Sequence, residues 1–454
     1  MEGESEILTV RELVQRGVLE RPMDGNHGEL HPKSTDFVAE GIPFIMASDL
    51  VHGQVDTRNC AFISEQQARS LRKGFAKTGD VLLSHKATMG RTALVGEIQT
   101  PYLMLTPQVT YYRVRDSRRL DARYLKTYFD GPEFQELLER WGNKGSTRSY
   151  LGISAQLDLP IKLRPITEQR AIAGILGVLD DKIELNRRMN ATLEAMARAL
   201  FKSWFVDFDP VRAKAEGRAP CGMDAETAKL FPSHFVDSEA GPIPGGWRAA
   251  SLGDCVTLKR GTTYKGMLVG EPGPALLGLG SIRPGGGFRS DGFKTYGGEC
   301  PPALMLRPSD LYVSLKGATK DGEMIGSVAR VPKLVPSGRL TQDTVKLEIQ
   351  NRLLPRFLYR LLLTPEYRTY CANRAMGSAV VALSREDFLS YPLPLPDASV
   401  LERFCTLLGD IEDRAEQNDA ENAALAKTRD SLLPRLLSGE LPVDAAERLV
   451  EALA

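Results

Sequence analysis

Two stretches of the chain carry one apolar rhythm. Between Thr167 and Phe208 the positions step three and four residues apart: Leu176, Leu179, Ile183, Asn186, Asn190, Leu193, Ala197, Leu200 and Trp204. This heptad spacing keeps one face of a long helix against a partner helix. The same steps recur at Leu408, Ile411, Ala415, Asn418, Asn422, Leu425, Arg429, Leu432 and Leu436. Each member follows its counterpart by 232 positions, as 408 minus 176 shows. The seam asparagines recur with the rest. A buried Asn costs stability and fixes register, because an amide in a seam needs a polar group opposite it.

Each stretch alone also fits an amphipathic helix packed on a core. Length and repetition favour a pair of rods. At ~1.5 Å per residue, roughly 40 residues span about 60 Å, against ~11 residues in an ordinary globular helix. The expected pairing positions are Leu179, Ile183, Asn186, Asn190, Leu193 and Leu200 on the first, with Ile411, Asn418, Asn422, Leu425 and Leu432 on the second. An antiparallel, centred pair brings Asn190 to Asn422. Thr167 is the expected cap of the first helix, with Glu168 in its positive first turn. Ser399 and Glu402 read as a capping box for the second. Gly439, followed by Pro442, ends it. Arg429 stands on the seam where the first helix has Ala197, and Pro434 where it has Lys202, so pairing is expected to end early there.

Elsewhere the pattern is that of a mixed domain. Short β-forming runs predict strands at 42–46, 80–84, 93–98 and 109–114. Helical patterns cover 10–17, 64–73 and 120–141, the last interrupted near Gly131-Pro132. A loop rich in Gly, Pro and His covers 21–37. Asp209-Pro210 reads as a breaker, 212–220 as a linker, and 242–247 as the opening of a second domain. That domain repeats the first. ALLGLGSI stands for IPFIMASDL, SDLYVSLKGATKDGEMIGSVARV for GDVLLSHKATMGRTALVGEI, and LTQDTVKL for LTPQVTYY. FLYRLLLTPEYRTYC stands for YLKTYFDGPEFQELL, and Gly377-Ser378 for Gly145-Ser146. The period is too long for a solenoid. The expected fold class is α/β (α+β): two similar globular domains separated by two long antiparallel coiled-coil helices, a pseudo-two-fold repeat. The expected boundaries are 1–163, 164–210 for the first helix, 211–395, and 396–454 for the second helix and tail.

Composition narrows the function. A chain of 454 residues holds two or three domains. Zero formal net charge argues against a strongly basic, non-specific nucleic-acid binder and leaves local patches open. Six scattered cysteines with no CxxC pair read as free thiols in a reducing compartment. MEGESEILTV has no signal-peptide pattern, and no run nears the ~18 apolar residues of a membrane span. A cytoplasmic protein without a membrane partner is expected.

Catalytic motifs are missing. There is no GxxxxGK[ST] phosphate loop and no Asn/Asp-Pro-Pro-aromatic loop of an amine methyltransferase; Pro301-Pro302 follows Cys300 instead. Gly278-Leu279-Gly280 is a weak cofactor signal. His27, His31, His52, His85 and His234 lack metal-ligand spacing and read as structural or surface histidines. Asp321 and Glu323 near Lys320 do not make a nuclease cluster. No catalytic residue, metal site or cofactor is expected in this chain.

What is present suits a reader of a long polymer. Two similar domains on a rod of this length reach DNA half-sites one turn, ~34 Å, apart. The candidate contact loops carry Ser84, Lys86, Thr88 and Arg91 in the first repeat, and Ser314, Lys316, Thr319 and Lys320 in the second. Lysine suits a guanine edge or a phosphate, and small hydroxyl residues fit a groove. Lys144 and Arg148 are candidate phosphate contacts. A solvated surface role is the other reading of each cation.

The stretch RPITEQRAIAGILGVLDDKIELNRRMNATLEAMARALFKSWFVDFDPV, followed by FPSHFVDSEAGPIPGGWRAASLGD, resembles the central region of type I restriction-modification specificity subunits. LPRLLSGEL, 433–441, resembles the end of their second helix. The resemblance implies two target recognition domains, each reading half of a bipartite, asymmetric DNA sequence. It implies spacer helices that fix the gap and dock two methyltransferase (modification) subunits, with motor-nuclease (restriction) subunits joining them. S-adenosylmethionine, magnesium and ATP would then belong to the partners. Two other classes stay open: a coiled-coil adaptor, and a stand-alone DNA methyltransferase or nuclease with unrecognised motifs.

Overall fold

The computed structural model describes residues 5–142, 150–238, 241–317, 323–377 and 381–451. Each heptad stretch is one unbroken helix, Ile166–Phe205 and Ala398–Ser438. Neither starts at its expected cap. The first begins directly after Pro165, whose carbonyl accepts the Gln169 N–H at 3.0 Å, so Thr167 lies inside the first turn. The second begins after Asp397, whose carbonyl accepts the Leu401 N–H at 3.1 Å, so Ser399 is also inside. Pro165 has no N–H that needs a partner and its φ is already near helical, which lets the first helix start directly after it.

The ends differ from expectation in the same direction. Pro210 sits in the first turn of a helix, Asp209–Ala215, that covers half of the expected linker and buries Val211 and Ala213. Pro434 does not stop the second long helix, and Leu436 beyond it is buried. Gly439, at φ +89°, ends it: the N–H groups of Gly439 and Leu441 both reach the Arg435 carbonyl, at 3.2 and 3.0 Å. A further helix, Val443–Glu451, follows where the sequence showed only a tail, and it buries Ala446.

The chain forms two compact units, Met1–Leu185 with Asn422–Ala454, and Asn186–Glu421. Each holds about half of each long helix. In the first unit Leu176, Leu179 and Ile183 share a core with Leu425, Leu432 and Leu436. Arg429 Nη1 donates to Asp180 at 2.7 Å and Arg164 Nη2 to the Leu437 carbonyl at 2.9 Å, so the helices of this pair run antiparallel. In the second unit Trp204 and Phe201 meet Phe404 at ring distances of 6.1 and 5.9 Å. There Asn186 Nδ2 donates to Glu421 at 2.8 Å, and Asn190 Nδ2 to Asp419 at 2.8 Å. Leu200 and Ile411 pack on this core, and Leu193 is half-buried. Asn190 meets Asn418, whose Nδ2 donates to its Oδ1 at 2.8 Å, and the expected Asn190–Asn422 contact is displaced by one helical turn. Aromatic packing at Phe201, Trp204 and Phe404 buries far more surface than one amide pair and sets the register.

Both units follow one strand plan. Val109–Tyr112, Val81–Ser84 and Thr92–Leu94 form an antiparallel run in the first; Thr344–Glu348, Leu311–Ser314 and Val328–Arg330 form it in the second. Ile42–Ile45 pairs parallel with Leu103–Leu105, as Ala275–Leu277 does with Gly338–Leu340. The helix pair Ala122–Asp130 and Pro132–Gly142 matches Leu354–Leu361 and Pro365–Arg374. Two helices of the first unit are reduced to turns in the second: Val10–Gln15 to Leu252–Asp254, and Glu65–Ser70 to Pro302–Leu304.

An acid at one repeat position ties each domain to a helix. Asp180 takes Lys126 at 3.6 Å and Arg429 at 2.7 Å. Its equivalent Glu412 takes Arg330 at 2.5 Å, Arg356 at 2.9 Å and Arg360 at 3.7 Å, and Arg360 also reaches Glu194 at 2.7 Å. Among the described residues no helix is long and apolar enough to cross a membrane.

Candidate nucleic-acid interface

In the first unit the strand Val81–Ser84 ends in a closed loop. The Ser84 N–H donates to the Arg91 carbonyl at 2.8 Å, its Oγ accepts the Arg91 N–H at 2.9 Å, and its carbonyl accepts the Gly90 N–H at 2.9 Å. Ser84 is fully buried, so its hydroxyl shapes the loop. Gly90, at φ +87°, makes the return that a side chain would oppose. The closure turns Lys86 and Thr88 out to solvent. Lys86 bridges Tyr150 through its backbone, and its Nζ lies 5.9 Å from that ring's centre. Arg91 is exposed, but its Nη1 donates to the Ala47 carbonyl at 3.2 Å.

The second unit builds the same loop. The Ser314 N–H donates to the Ser327 carbonyl at 3.0 Å, and its carbonyl accepts from Gly326, at φ +70°, at 2.7 Å. Ser314 is fully buried and its Oγ donates to the Lys316 carbonyl at 2.5 Å. Lys316 is half-exposed, with Nζ 4.0 Å from Asp343. Lys144, Arg148, Thr319 and Lys320 lie outside the described residues.

Two further segments meet these loops, and the sequence reading did not assign them to the interface. In the first unit Gly25 passes so close to the chain at Leu105 that an added Cβ would lie 1.8 Å from its carbonyl oxygen. In the second, Gly261 does the same at Thr341, at 1.9 Å. Each glycine starts an exposed tip beside the matching turns Thr106–Gln108 and Thr341–Asp343. Asp24, almost wholly buried, accepts from His27 Nε2 at 2.7 Å and from Lys73 Nζ. Asn26 locks the base of the tip: its Nδ2 donates to the Lys73 carbonyl at 2.7 Å and its Oδ1 accepts the Arg72 N–H at 3.0 Å. In the second unit buried Arg339 donates to Thr262 Oγ1 at 3.2 Å and to the Thr263 carbonyl at 3.0 Å. It leaves Tyr264 and Met267 exposed, the latter by 83%.

His85 lies beneath the first interface. Its N–H donates to the Gln108 carbonyl at 2.9 Å, and its Nδ1 donates to the Leu151 carbonyl at 3.0 Å. Burial pushes its pKa down to about 4, which keeps the ring neutral near pH 7. Burial also lowers His31, whose ring lies 5.5 Å from Phe44. The glycine–histidine loop was the signal for this tip, but only the long-range closure onto Asp24 and Lys73 makes it a built surface. Among the described residues no group of His, Cys, Asp and Glu could hold a metal ion, and all six cysteines are free thiols.

No protein-family model matches the chain. The HindI specificity subunit of a type I restriction enzyme from Haemophilus influenzae is 29% identical over 347 residues, which cover 63% of this chain and 69% of that protein. The MjaIX specificity subunit from Methanocaldococcus jannaschii is 24% identical over 428 residues, covering 91% and 89%. The crystal structure of a type I restriction-modification S subunit from M. genitalium shares the fold at a TM-score of 0.53, with 14% identity and coverage of 95% and 96%. With its paired helices and its duplicated plan, the chain is similar in sequence to type I restriction enzyme specificity subunits and shares the fold of a solved S subunit.

Proposed function

We propose that the chain is the DNA-recognition subunit of a type I restriction-modification complex, in which each unit reads one half of a bipartite, asymmetric duplex site. The observation that supports this reading is one strand plan used twice with unlike loops on equivalent positions: Lys86 beside Tyr150 in one, Lys316 beside Asp343 in the other. One scaffold with two loop chemistries suits two different half-sites. Lys86, Thr88, Arg91 and Lys316 are the proposed contacts, joined by Lys144, Arg148, Thr319 and Lys320. Ser84 and Ser314 act by shaping the loops. The long helices set the gap between half-sites and dock two methyltransferase subunits, and motor-nuclease subunits join for restriction. S-adenosylmethionine, magnesium and ATP act on those partners, and this chain is non-catalytic. The complex works in the cytoplasm.

Mapping of methylated adenines in cells carrying the chain and its methyltransferase tests the reading. One asymmetric two-part motif with a fixed gap is expected. Methylation without a two-part motif, or methyl transfer by this chain alone, overturns it.

A further inference from the structure

The lysine loops give positive charge, and charge on phosphates carries no sequence information by itself. Base reading needs directional donors and acceptors, or apolar contact with a thymine methyl. Both units place such groups on the tip that starts at Gly25 or Gly261. These tips occupy equivalent places, because each glycine crosses the same turn of the repeat, Leu105-Thr106 or Leu340-Thr341. Each is held from below by buried polar side chains, Asp24 and Asn26 in one and Arg339 in the other. A tip fixed in this way presents its outer side chains with little ordering cost on binding.

The outer chemistry differs. His27 commits Nε2 to the Asp24 carboxylate, so a contact to an outside group falls to Nδ1, an acceptor in the neutral ring. An acceptor suits an exocyclic amine, on adenine or cytosine. The second tip carries the Tyr264 ring, 41% exposed, and the Met267 thioether. These are apolar groups on the outermost part of a loop, which suit a thymine methyl.

Resting on the DNA-recognition reading, we infer that the tips Asn26–His31 and Thr262–Leu268 are the specificity-determining segments: His27 reads an amine-bearing base in one half-site, and Tyr264 with Met267 reads a thymine methyl in the other.

The test uses the full chain with its methyltransferase partner and compares methylation maps of the unsubstituted chain, His27→Ala, Met267→Ala and, as a backbone-contact control, Lys86→Ala. Thermal melting checks that each variant folds. His27→Ala is expected to relax one or two positions of one half-site, with discrimination falling about 5- to 150-fold, the effect of one base contact worth ~1–3 kcal/mol. The other half-site should be unchanged. Met267→Ala should do the converse, and Lys86→Ala should lower methylation evenly at all sites. Identical motifs in all folded variants, or an even loss in the tip variants, overturns the inference while leaving the DNA-recognition reading intact. Absence of any sequence-specific pattern with the unsubstituted chain defeats that reading first. If either tip variant fails to fold, His27→Gln and Met267→Leu carry the same comparison.

Discussion

At the scale of single residues, a hydroxyl at a strand end can face a groove or close a loop. Ser84 and Ser314 do the second, because the loop return leaves their oxygens buried against backbone. The sequence displays a hydroxyl and a lysine side by side; which of them reaches solvent depends on hydrogen bonds to residues far along the chain. For that reason Lys86 was legible as an exposed cation, and the Asp24–His27–Lys73 cluster was not, since Lys73 lies 49 positions from Asp24. Charge reversal at Lys86 or Lys316 is expected to weaken cognate DNA binding, and the simple loss of one phosphate contact lowers the salt slope by about one. Binding isotherms of Lys86→Glu and Lys316→Glu across a salt series check this, and unchanged affinity in the double variant removes both loops from the interface. His85 gives a pH effect. Its folded pKa, about 4, lies below that of an unfolded histidine, so the unfolded chain takes up the proton first. Stability is therefore lost as pH falls from about 6.5 toward 4. His85→Leu, which copies Leu315 at the equivalent place, should flatten this part of the profile in thermal melts at pH 7 and pH 5.

At the scale of elements, the long helices were legible because a three–four spacing sustained over nine positions has few other physical readings. Their partners were less so. The centred pairing failed by one turn since aromatic surface, invisible to a list of seam positions, sets the register at Phe404. The acid at positions 180 and 412 carries a second expectation. Glu412 is buried among three arginines, so Glu412→Gln leaves those cations without their carboxylate and should cost about 3–5 kcal/mol. Asp180 is one-third exposed, as is its partner Arg429, so Asp180→Asn should cost distinctly less. Denaturant melts of both variants measure the difference, and equal losses would contradict it.

At the scale of the whole molecule, duplication was the clearest signal in the sequence, because an offset of 232 holds through all nine seam positions and the strands and loops recur in the same order. The half-site gap is expected to follow helix length. Four residues inserted after Asn190 lengthen the first helix by about 6 Å, and methylation mapping should then report a changed gap. An unaltered gap would count against the helices as the ruler.

The first unit is built from the two ends of the chain, and this has a consequence for synthesis. Leu176, Leu179 and Ile183 obtain their cover from Leu425, Leu432 and Leu436, so the amino-terminal unit stays unfinished while more than two hundred intervening residues are translated. The carboxy-terminal unit lies wholly within that interval, and it has every part it needs before its elder neighbour does. A nascent chain of this design would complete its second half first and would leave an apolar strip uncovered until the last stretch arrives.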